Sequence, residues 1–537
     1  MRIKNYILMK KNLLSSTCFL LLLLFNECLF AQATPLSKAR YVNDHQQSFI
    51  PRPEQDKIAQ EKLAALEKKT GKKPNILWFV IDDMGYGDLG CYGGGAVIGA
   101  ATPNIDRLAK EGLKLTTVYS QPTCTPTRSA LLTGRLPVRT GLTRPILAGD
   151  KLTKNPWDDE ISLPKLLSAN NYKTILTGKW HVGELEGMRP FDIGFDEYEG
   201  YYAAEKEISQ AFDKRRYPDL SLDSFKRDAY MKLGASADLV YGKKGGEEQI
   251  VKKTTSTNDI AEADEVLKDF TIKKLRELAK QKQPFFLEHC FMKVHADVFA
   301  SKKYEGKSAS KYPFKDGVVE VDALVGEMVA ELEKLGMLEN TLIFITSDNG
   351  PQMDSWPDNG FTPFRGGKAT TWEGGVRVPG IAYWKGMISP GRESADIFDL
   401  MDLYNTSLNI AGASASLPQD RYMDGIDQTS FLLLDNGESK RDRVFMFIDK
   451  NLMAFRMLEY KMHFKYTVDT RLNANIDQST IYQTGLAPWL FNLYTGPKEE
   501  QTDGHVYNAW TAPIAAESKT ILPSLKKFPP KNIGLGE

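Results

Sequence analysis

The sequence predicts an α/β protein: a large domain built on a parallel or mixed sheet, followed by a smaller C-terminal subdomain of antiparallel strands. Asn75-Ile76-Leu77-Trp78-Phe79-Val80-Ile81 and Thr341-Leu342-Ile343-Phe344-Ile345-Thr346 are continuous apolar runs, the mark of strands buried on both faces. Amphipathic helices separate such runs, and strands alternating with helices imply a central sheet covered by helices. After about Phe431 the pattern changes. Val444–Phe447, Met453–Arg456 and Tyr460–Tyr466 read as short strands with no long helix between them.

The chain begins with Arg2, Lys4, Lys10 and Lys11, an apolar stretch from Leu20 to Phe25, and small residues in Phe30-Ala31-Gln32-Ala33. Residues 1–33 therefore read as a signal peptide that sends the protein to a periplasm or outside the cell. The apolar stretch is too short to span a bilayer, so no membrane span is expected. Asn26-Glu27 before Cys28 argue against a lipid anchor.

Residues 34–73 read as an N-terminal helical arm, with Ile58, Leu63 and Leu66 on one side of a helix from Gln55 to Lys69 that Gly71 ends. The large domain follows over 74–431 and the C-terminal subdomain over 432–537. Thr102-Pro103 opens a capped helix that Gly112 closes, and Tyr172–Leu176 reads as a strand leading to Gly178-Lys179-Trp180-His181. The polar stretch 203–259 is expected to form loops beside the site. A helix from Ala261 to Lys280, a strand at Pro284–Leu287 and a helix carrying Val321, Leu324, Met328, Leu332 and Leu335 complete the pattern.

Lys plus Arg total 69, as do Asp plus Glu, so no nucleic-acid partner is expected. Beyond the signal peptide the cysteines are Cys91, Cys124 and Cys290, too few for a disulfide framework and wrongly spaced for a zinc module. A Cys91–Cys290 bridge stays open.

Two features suggest chemistry. Thr125 can cap a helix, Pro126 suits its first position and Gly134 stops it, which places Cys124 just outside a helix N-terminus that favours an anion. Arg128, one turn along, is in reach of a group held there. Both apolar runs also end in oxygen ligands, Asp82-Asp83 and Asp348-Asn349, where open α/β sheets bind ligands. Oxygen donors without Cys or His select calcium or magnesium over zinc or copper.

The string Cys124-Thr125-Pro126-Thr127-Arg128, continued by Leu132-Thr133-Gly134-Arg135, resembles the signature of the sulfatase family, Cys-x-Pro-x-Arg followed by Leu-Thr-Gly-Arg. Ile81-Asp82-Asp83-Met84-Gly85 and Thr346-Ser347-Asp348-Asn349-Gly350 are similar to that family's metal motifs. Gly178-Lys179-Trp180-His181, and Phe364-Arg365-Gly366-Gly367-Lys368 with Glu373–Pro379, resemble further family motifs. The resemblance runs from about Pro74 to about Gly425, with a weaker echo at Leu490–Tyr494. It implies an alkaline-phosphatase-like fold, with a large mixed-sheet domain sandwiched by helices and a small C-terminal antiparallel sheet.

The resemblance further implies that a formylglycine-generating maturation enzyme oxidises Cys124, and that calcium, in preference to magnesium, sits among Asp82, Asp83, Asp348, Asn349 and the modified Cys124. The reaction it implies is hydrolysis of sulfate monoesters on sulfated carbohydrates or aryl sulfates. One hydroxyl of the hydrated aldehyde would attack sulfur, and His181 would take the proton of the other. Lys179, Arg128 and Lys368 would hold the sulfuryl oxygens, and His295 would protonate the leaving group.

His295 lacks the prolines that usually flank the family's His, while its competitor His289 reads as a satisfied core residue. Arg377 is expected to serve structure. Trp356, Phe361, Trp372, Tyr201 and Tyr202 either line a pocket or pack in loops. The rivals are a phosphomonoester or phosphonate hydrolase of the same superfamily and an inactive binder of sulfated glycans. Complete catalytic motifs argue against the binder, and the absence of zinc-type His/Asp motifs argues against the phosphatase.

Overall fold

The computed structural model describes residues 37–147, 150–202, 238–467, 480–503 and 508–535, so the segment expected to be a signal peptide lies outside the described residues. The large sheet contains β1 (Asn75–Ile81), β2 (Leu113–Tyr119), β3 (Lys173–Lys179), β4 (Glu197–Tyr201), β5 (Leu239–Lys243), β6 (Gln249–Lys252), β7 (Phe285–Cys290), β8 (Thr341–Ser347), β9 (Arg377–Tyr383), β10 (Arg392–Ser394) and β11 (Phe398–Asp399). Their order is β10-β2-β9-β8-β1-β7-β3-β4-β5-β6, with β11 also on β2. The stretch β8-β1-β7-β3-β4 is parallel, and β9, β5 and β6 join antiparallel. The sheet is therefore mixed, as the sequence predicts.

The apolar runs are explained by burial on both faces. Ile76, Trp78 and Val80 of β1 enter one core, shared with the helices Pro53–Thr70, Leu163–Ala169 and Asp402–Ile410. Leu77, Phe79 and Ile81 enter the other, shared with Pro103–Lys110, Ala263–Leu278 and Pro313–Lys334. Helices thus sandwich the sheet.

The C-terminal part forms an antiparallel sheet in the order β12-β13-β14-β17, made of β12 (Arg443–Ile448), β13 (Asn451–Met457), β14 (Tyr460–His463) and β17 (Trp489–Asn492). The expected strand from Tyr460 to Tyr466 divides, and its second part becomes β15 (Lys465–Thr467), paired with β16 (Ile481–Gln483). Residues from Ala39 onward form one compact unit that includes this sheet. Among the described residues, no helix is long and apolar enough to cross a membrane.

Several local expectations are corrected. In the arm helix Ala59, not Ile58, is buried with Leu63 and Leu66, because these positions share a face and Ile58 points outward at 51% exposure. The helix after Thr102 ends at Lys110 rather than Gly112, and the Thr102 hydroxyl accepts the Gly90 N–H instead of capping. Within 203–259, residues 203–237 lie outside the described residues, but β5 and β6 extend the sheet where loops were expected. Gln249–Lys252 is an exposed edge strand whose two β-branched residues, Ile250 and Val251, are too short a run to stand out in a charged stretch. Cys91 and Cys290 are both free thiols, so the bridge does not form.

The helix Cys124–Thr133 is buried along its whole length. Gly134 closes it with φ 65°, the left-handed region that favours glycine, and its carbonyl accepts the N–H groups of Asp424 and Gly425. Arg139, just beyond, donates to Asp424 at 2.7 and 3.0 Å, and Asp424 also accepts the Leu136 N–H at 2.9 Å. Removing one partner strands a buried charge. Asp424→Ala is therefore expected to lower stability by about 3–5 kcal/mol in urea unfolding. A loss below about 1 kcal/mol would show that the pair contributes no more than an exposed one.

Candidate active site

Because β1, β3, β7 and β8 are parallel, the segments leaving their carboxyl ends emerge at one edge of the sheet. Ile81 pairs with Ser347, which sets Asp82 beside Asp348. Side chains alternate along a strand, so Asp82 and Asp83 would normally diverge. Asp83 has φ 58°, a departure that lets both carboxylates face the same centre.

Each acid meets a cation. Lys179, at the end of β3, donates to Asp82. Lys368 Nζ donates to Asp83 Oδ2 at 2.8 Å. Arg128 donates to Asp348 Oδ2 from Nε at 3.1 Å and from a terminal nitrogen at 2.8 Å, and to the Lys179 carbonyl at 2.9 Å. All six side chains are buried.

Cys124 lies inside the first turn of its helix rather than just outside it, because the helix begins at Cys124 itself, ahead of Pro126. Thr125 does not cap. Its hydroxyl donates to the His181 carbonyl at 2.6 Å. His181 is not on the strand with Lys179, since it has φ 59° beyond the end of β3, yet its Nδ1 lies 3.2 Å from Cys124 Sγ. His181 Nε2 lies 3.0 Å from the Ile146 carbonyl, which can only accept, so Nε2 carries the proton and Nδ1 faces the sulfur as an acceptor.

His295 Nδ1 lies 2.5 Å from the Ala296 carbonyl and so donates, while Nε2 stands 3.8 Å from Asp83 Oδ2. Ligand atoms of Asp82, Asp83 and His295 lie within 4.8 Å of one another. His289 is a core residue packed against Phe79 and Phe291, with Nδ1 2.9 Å from the Thr271 hydroxyl. Its Nε2 finds no partner among the described residues, so it is only half satisfied.

Electrostatics follow from burial and from these charges. Burial pushes the Cys124 thiol up, against the pull of Lys179 and Lys368, so the thiol keeps its proton. Burial and the Lys179 charge hold His181 far below the usual imidazole range, and burial with Lys368 does the same for His295. Burial works against the charged form of Asp82, but Lys179 and its neighbours hold that carboxyl well below the usual range. Burial, with the charge of Asp82, pushes Asp83 and Asp348 up.

The donor set fits a hard cation. Asp82 Oδ1 and Asn349 Oδ1 are buried acceptors with no donor among the described residues. The Asn349 amide nitrogen donates to Asp83 Oδ1 at 2.6 Å, which fixes the amide beside the acids. Of the sequence-derived ligands, Cys124 is instead turned to His181, and the Asp348 oxygens accept Arg128 and the Asp83 N–H.

Other expected residues are also located. Arg377 donates to the Thr116 carbonyl at 2.8 Å and packs over Phe364, a structural role. Tyr201, Tyr202 and Trp372 are buried, whereas Trp356 and Phe361 are exposed.

A mixed sheet with acids, cations and a buried Cys–His pair gathered at its strand ends has the make-up of a hydrolytic centre for an anionic substrate. Comparison with known proteins narrows the class. Residues 74–413 match the family model Sulfatase. The N-acetylgalactosamine-6-sulfatase of Canis lupus familiaris is 37% identical over 401 residues, covering 73% of this chain and 72% of that protein. The crystal structure of PsFucS1 sulfatase from Pseudoalteromonas sp. is 49% identical with a TM-score of 0.89, covering 93% of this chain and 99% of that one. Ps i-CgsB, solved in complex with k-i-k-neocarrahexaose, is 26% identical with a TM-score of 0.67, covering 83% and 92%. The chain belongs to the sulfatase family and is a sulfuric ester hydrolase.

Sequence reasoning missed Glu288, although an acid inside an apolar strand is a legible signal. It is buried in β7, accepts Cys290 Sγ at 3.5 Å and has a second oxygen with no donor among the described residues. Burial, partly offset by Arg128, pushes its carboxyl up to about 7 from 4.5. A raised carboxyl favours the protonated form in the fold. Its contribution is complete below 4.5 and is lost as pH rises through about 7. Across that window the wild type should lose roughly 3 kcal/mol relative to Glu288→Gln, read by urea unfolding at stepped pH. Parallel stability curves would show that no such titration occurs.

Proposed function

We propose that this protein is exported and hydrolyses sulfate monoesters on sulfated carbohydrates, using a divalent cation, calcium, and a formylglycine made from Cys124. The observation that carries the reading is the placement of Cys124 Sγ 3.2 Å from His181 Nδ1, beside the cluster of Lys179, Arg128, Lys368 and the strand-end acids. The carbohydrate substrate is supported by relatives whose names specify N-acetylgalactosamine 6-sulfate or whose structure holds a neocarrahexaose. The basic and apolar segment over 1–33 supports export.

The modified Cys124, with a cation held by Asp82, Asp83, Asp348 and Asn349, would supply the oxygen nucleophile and polarise it. The chain's own residues do the rest. Lys179, Lys368 and Arg128 bind the sulfuryl oxygens and stabilise the charge that grows on them in a water-poor pocket. His181, neutral with Nδ1 as acceptor, takes a proton from the group at Cys124. His295 stands on the Asp83 side to serve the leaving oxygen, and must gain a second proton to act as an acid because Nδ1–H is engaged by Ala296.

The helix bearing Cys124 is fully buried, with Cys124 only 1% exposed, so a maturation enzyme must meet the chain before this fold closes.

The test uses protein co-expressed with a formylglycine-generating enzyme and matched aryl sulfate and aryl phosphate esters. Sulfate release should dominate, and Cys124→Ala should reduce it by at least about a thousandfold. Faster phosphate release, or activity that survives the substitution, would overturn the reading. Chelation should abolish turnover, with calcium restoring it better than magnesium. His295→Ala should slow esters with poor leaving groups about 10²-fold or more and activated aryl esters far less. Equal losses would replace the acid role with one at the Asp82–Asp83 cation site.

A further inference from the structure

A second ion cluster is buried where the C-terminal sheet meets the loop between β8 and β9. Lys461 of β14 places Nζ 2.9 Å from Glu373 Oε1 and 3.1 Å from Glu499 Oε1, and all three side chains are fully buried. His463 Nε2 lies 2.7 Å from the same Glu499 oxygen. The other Glu499 oxygen accepts the backbone N–H of Glu373 at 2.6 Å, and the Glu499 carbonyl accepts Arg365 at 3.0 Å. Glu373 also accepts the Tyr119 hydroxyl at 2.9 Å, and Arg456 donates to that hydroxyl. Arg365 lies 3.8 Å over the Trp372 ring, which in turn stacks on His463 at 4.3 Å.

Glu373 begins a turn, Glu373-Gly374-Gly375, that is wedged between two pieces of active-site backbone. Gly350, which follows Asn349, donates its N–H to the Gly375 carbonyl at 2.9 Å. A Cβ on Gly350 would stand 1.8 Å from the Gly374 carbonyl oxygen, so the two segments touch main chain to main chain. On the other side, a Cβ on Gly375 would stand 2.4 Å from the carbonyl oxygen of Gly367, the residue before Lys368. The Lys368 N–H itself donates to Pro351 at 3.0 Å. With no slack on either side, displacement of Glu373 is passed to both Asn349 and Lys368.

Buried ion pairs bring little net stability over apolar packing, so stability alone gives little reason to bury these charges. What they supply is a fixed register between sheet and loop. We propose that Lys461 and Glu499 are positioning residues, which from the C-terminal sheet hold the Glu373 turn and thereby set Lys368 and Asn349 for the sulfuryl group. This inference rests on the sulfatase reading of the centre.

The test is Glu499→Gln, which keeps the size of the side chain and removes its charge. Melting temperature, kcat and KM on an aryl sulfate, and the concentration of inorganic sulfate giving half the maximal thermal shift are measured together. At a temperature where the variant is folded, kcat should fall about tenfold or more and the half-shift concentration should rise about tenfold. A lowered melting temperature with unchanged kcat and sulfate response would overturn the proposal, because it would reduce the cluster to a scaffold. Should Glu499→Gln fail to fold, Arg365→Met decides, since it removes only the exposed arm of the network. It should show a smaller loss in both readings, and wild-type values in both would overturn the proposal. Lys385→Met, at the exposed pair with Glu333, should leave both at wild-type values. Wild-type protein that responds to sulfate but releases none from the ester would count against the proposed reaction, while the binding readings still decide the positioning role.

Discussion

The structure depends on balancing charge among fully buried side chains. Asp82, Asp83 and Asp348 are buried at the ends of two adjacent strands, and Lys179, Lys368 and Arg128 are buried against them. A charge in such surroundings is tolerated only when it is paired. Each cation that would grip a sulfuryl oxygen is consequently fixed by an acid, and each acid by a cation. The arrangement can accept a divalent cation and an anionic group together, because the two bring opposite charges and leave the balance close to where it began.

The fold supplies the edge on which this balance is struck. Parallel pairing of β8, β1, β7 and β3 sends Asp348, Asp82, the His295 loop and Lys179 out on the same side. Two cores clamp the sheet from its two faces, so the strand ends have little freedom. The helix Cys124–Thr133 then lays its first turn against His181, and its buried Gly134–Arg139 continuation is tied to Asp424 and Glu160. Asp83 and His181 both take positive φ at the centre, and each turns a side chain inward that strand geometry would have sent elsewhere.

Much of this was legible in the sequence because its signals are local. A run such as Asn75–Ile81 can hardly be anything but a strand buried on both faces, and the oxygen ligands that follow it inherit the position. The string around Cys124 is contiguous, so a resemblance was visible there. What was not legible depends on distant partners. Gln249–Lys252 becomes a strand only because β5 is available to pair with it. Glu288 shows its altered titration only once its strand is known to be buried between β1 and β3. The face of the arm helix was misread at Ile58 because its low amphipathicity left two adjacent positions nearly equivalent, and packing chose Ala59.

The cluster around Lys461 belongs to the same physics, with the order of dependence reversed. At the strand ends the fold positions the charges. Where the C-terminal sheet meets the large domain, the charges position the fold. Lys461, Glu373 and Glu499 form a contact that is satisfied in one register only, since a slip of the sheet by a single residue would move Lys461 to the opposite face, take the lysine from Glu499 and leave Glu373 to Arg377 at 3.4 Å. An apolar contact of the same size would tolerate such a slip at a cost of packing alone. The loop carrying Lys368 is held at one end by the β8 segment beside the strand-end acids and, through Glu373, by the C-terminal sheet. A small antiparallel sheet that supplies no residue to the strand-end cluster can in this way share in fixing its geometry.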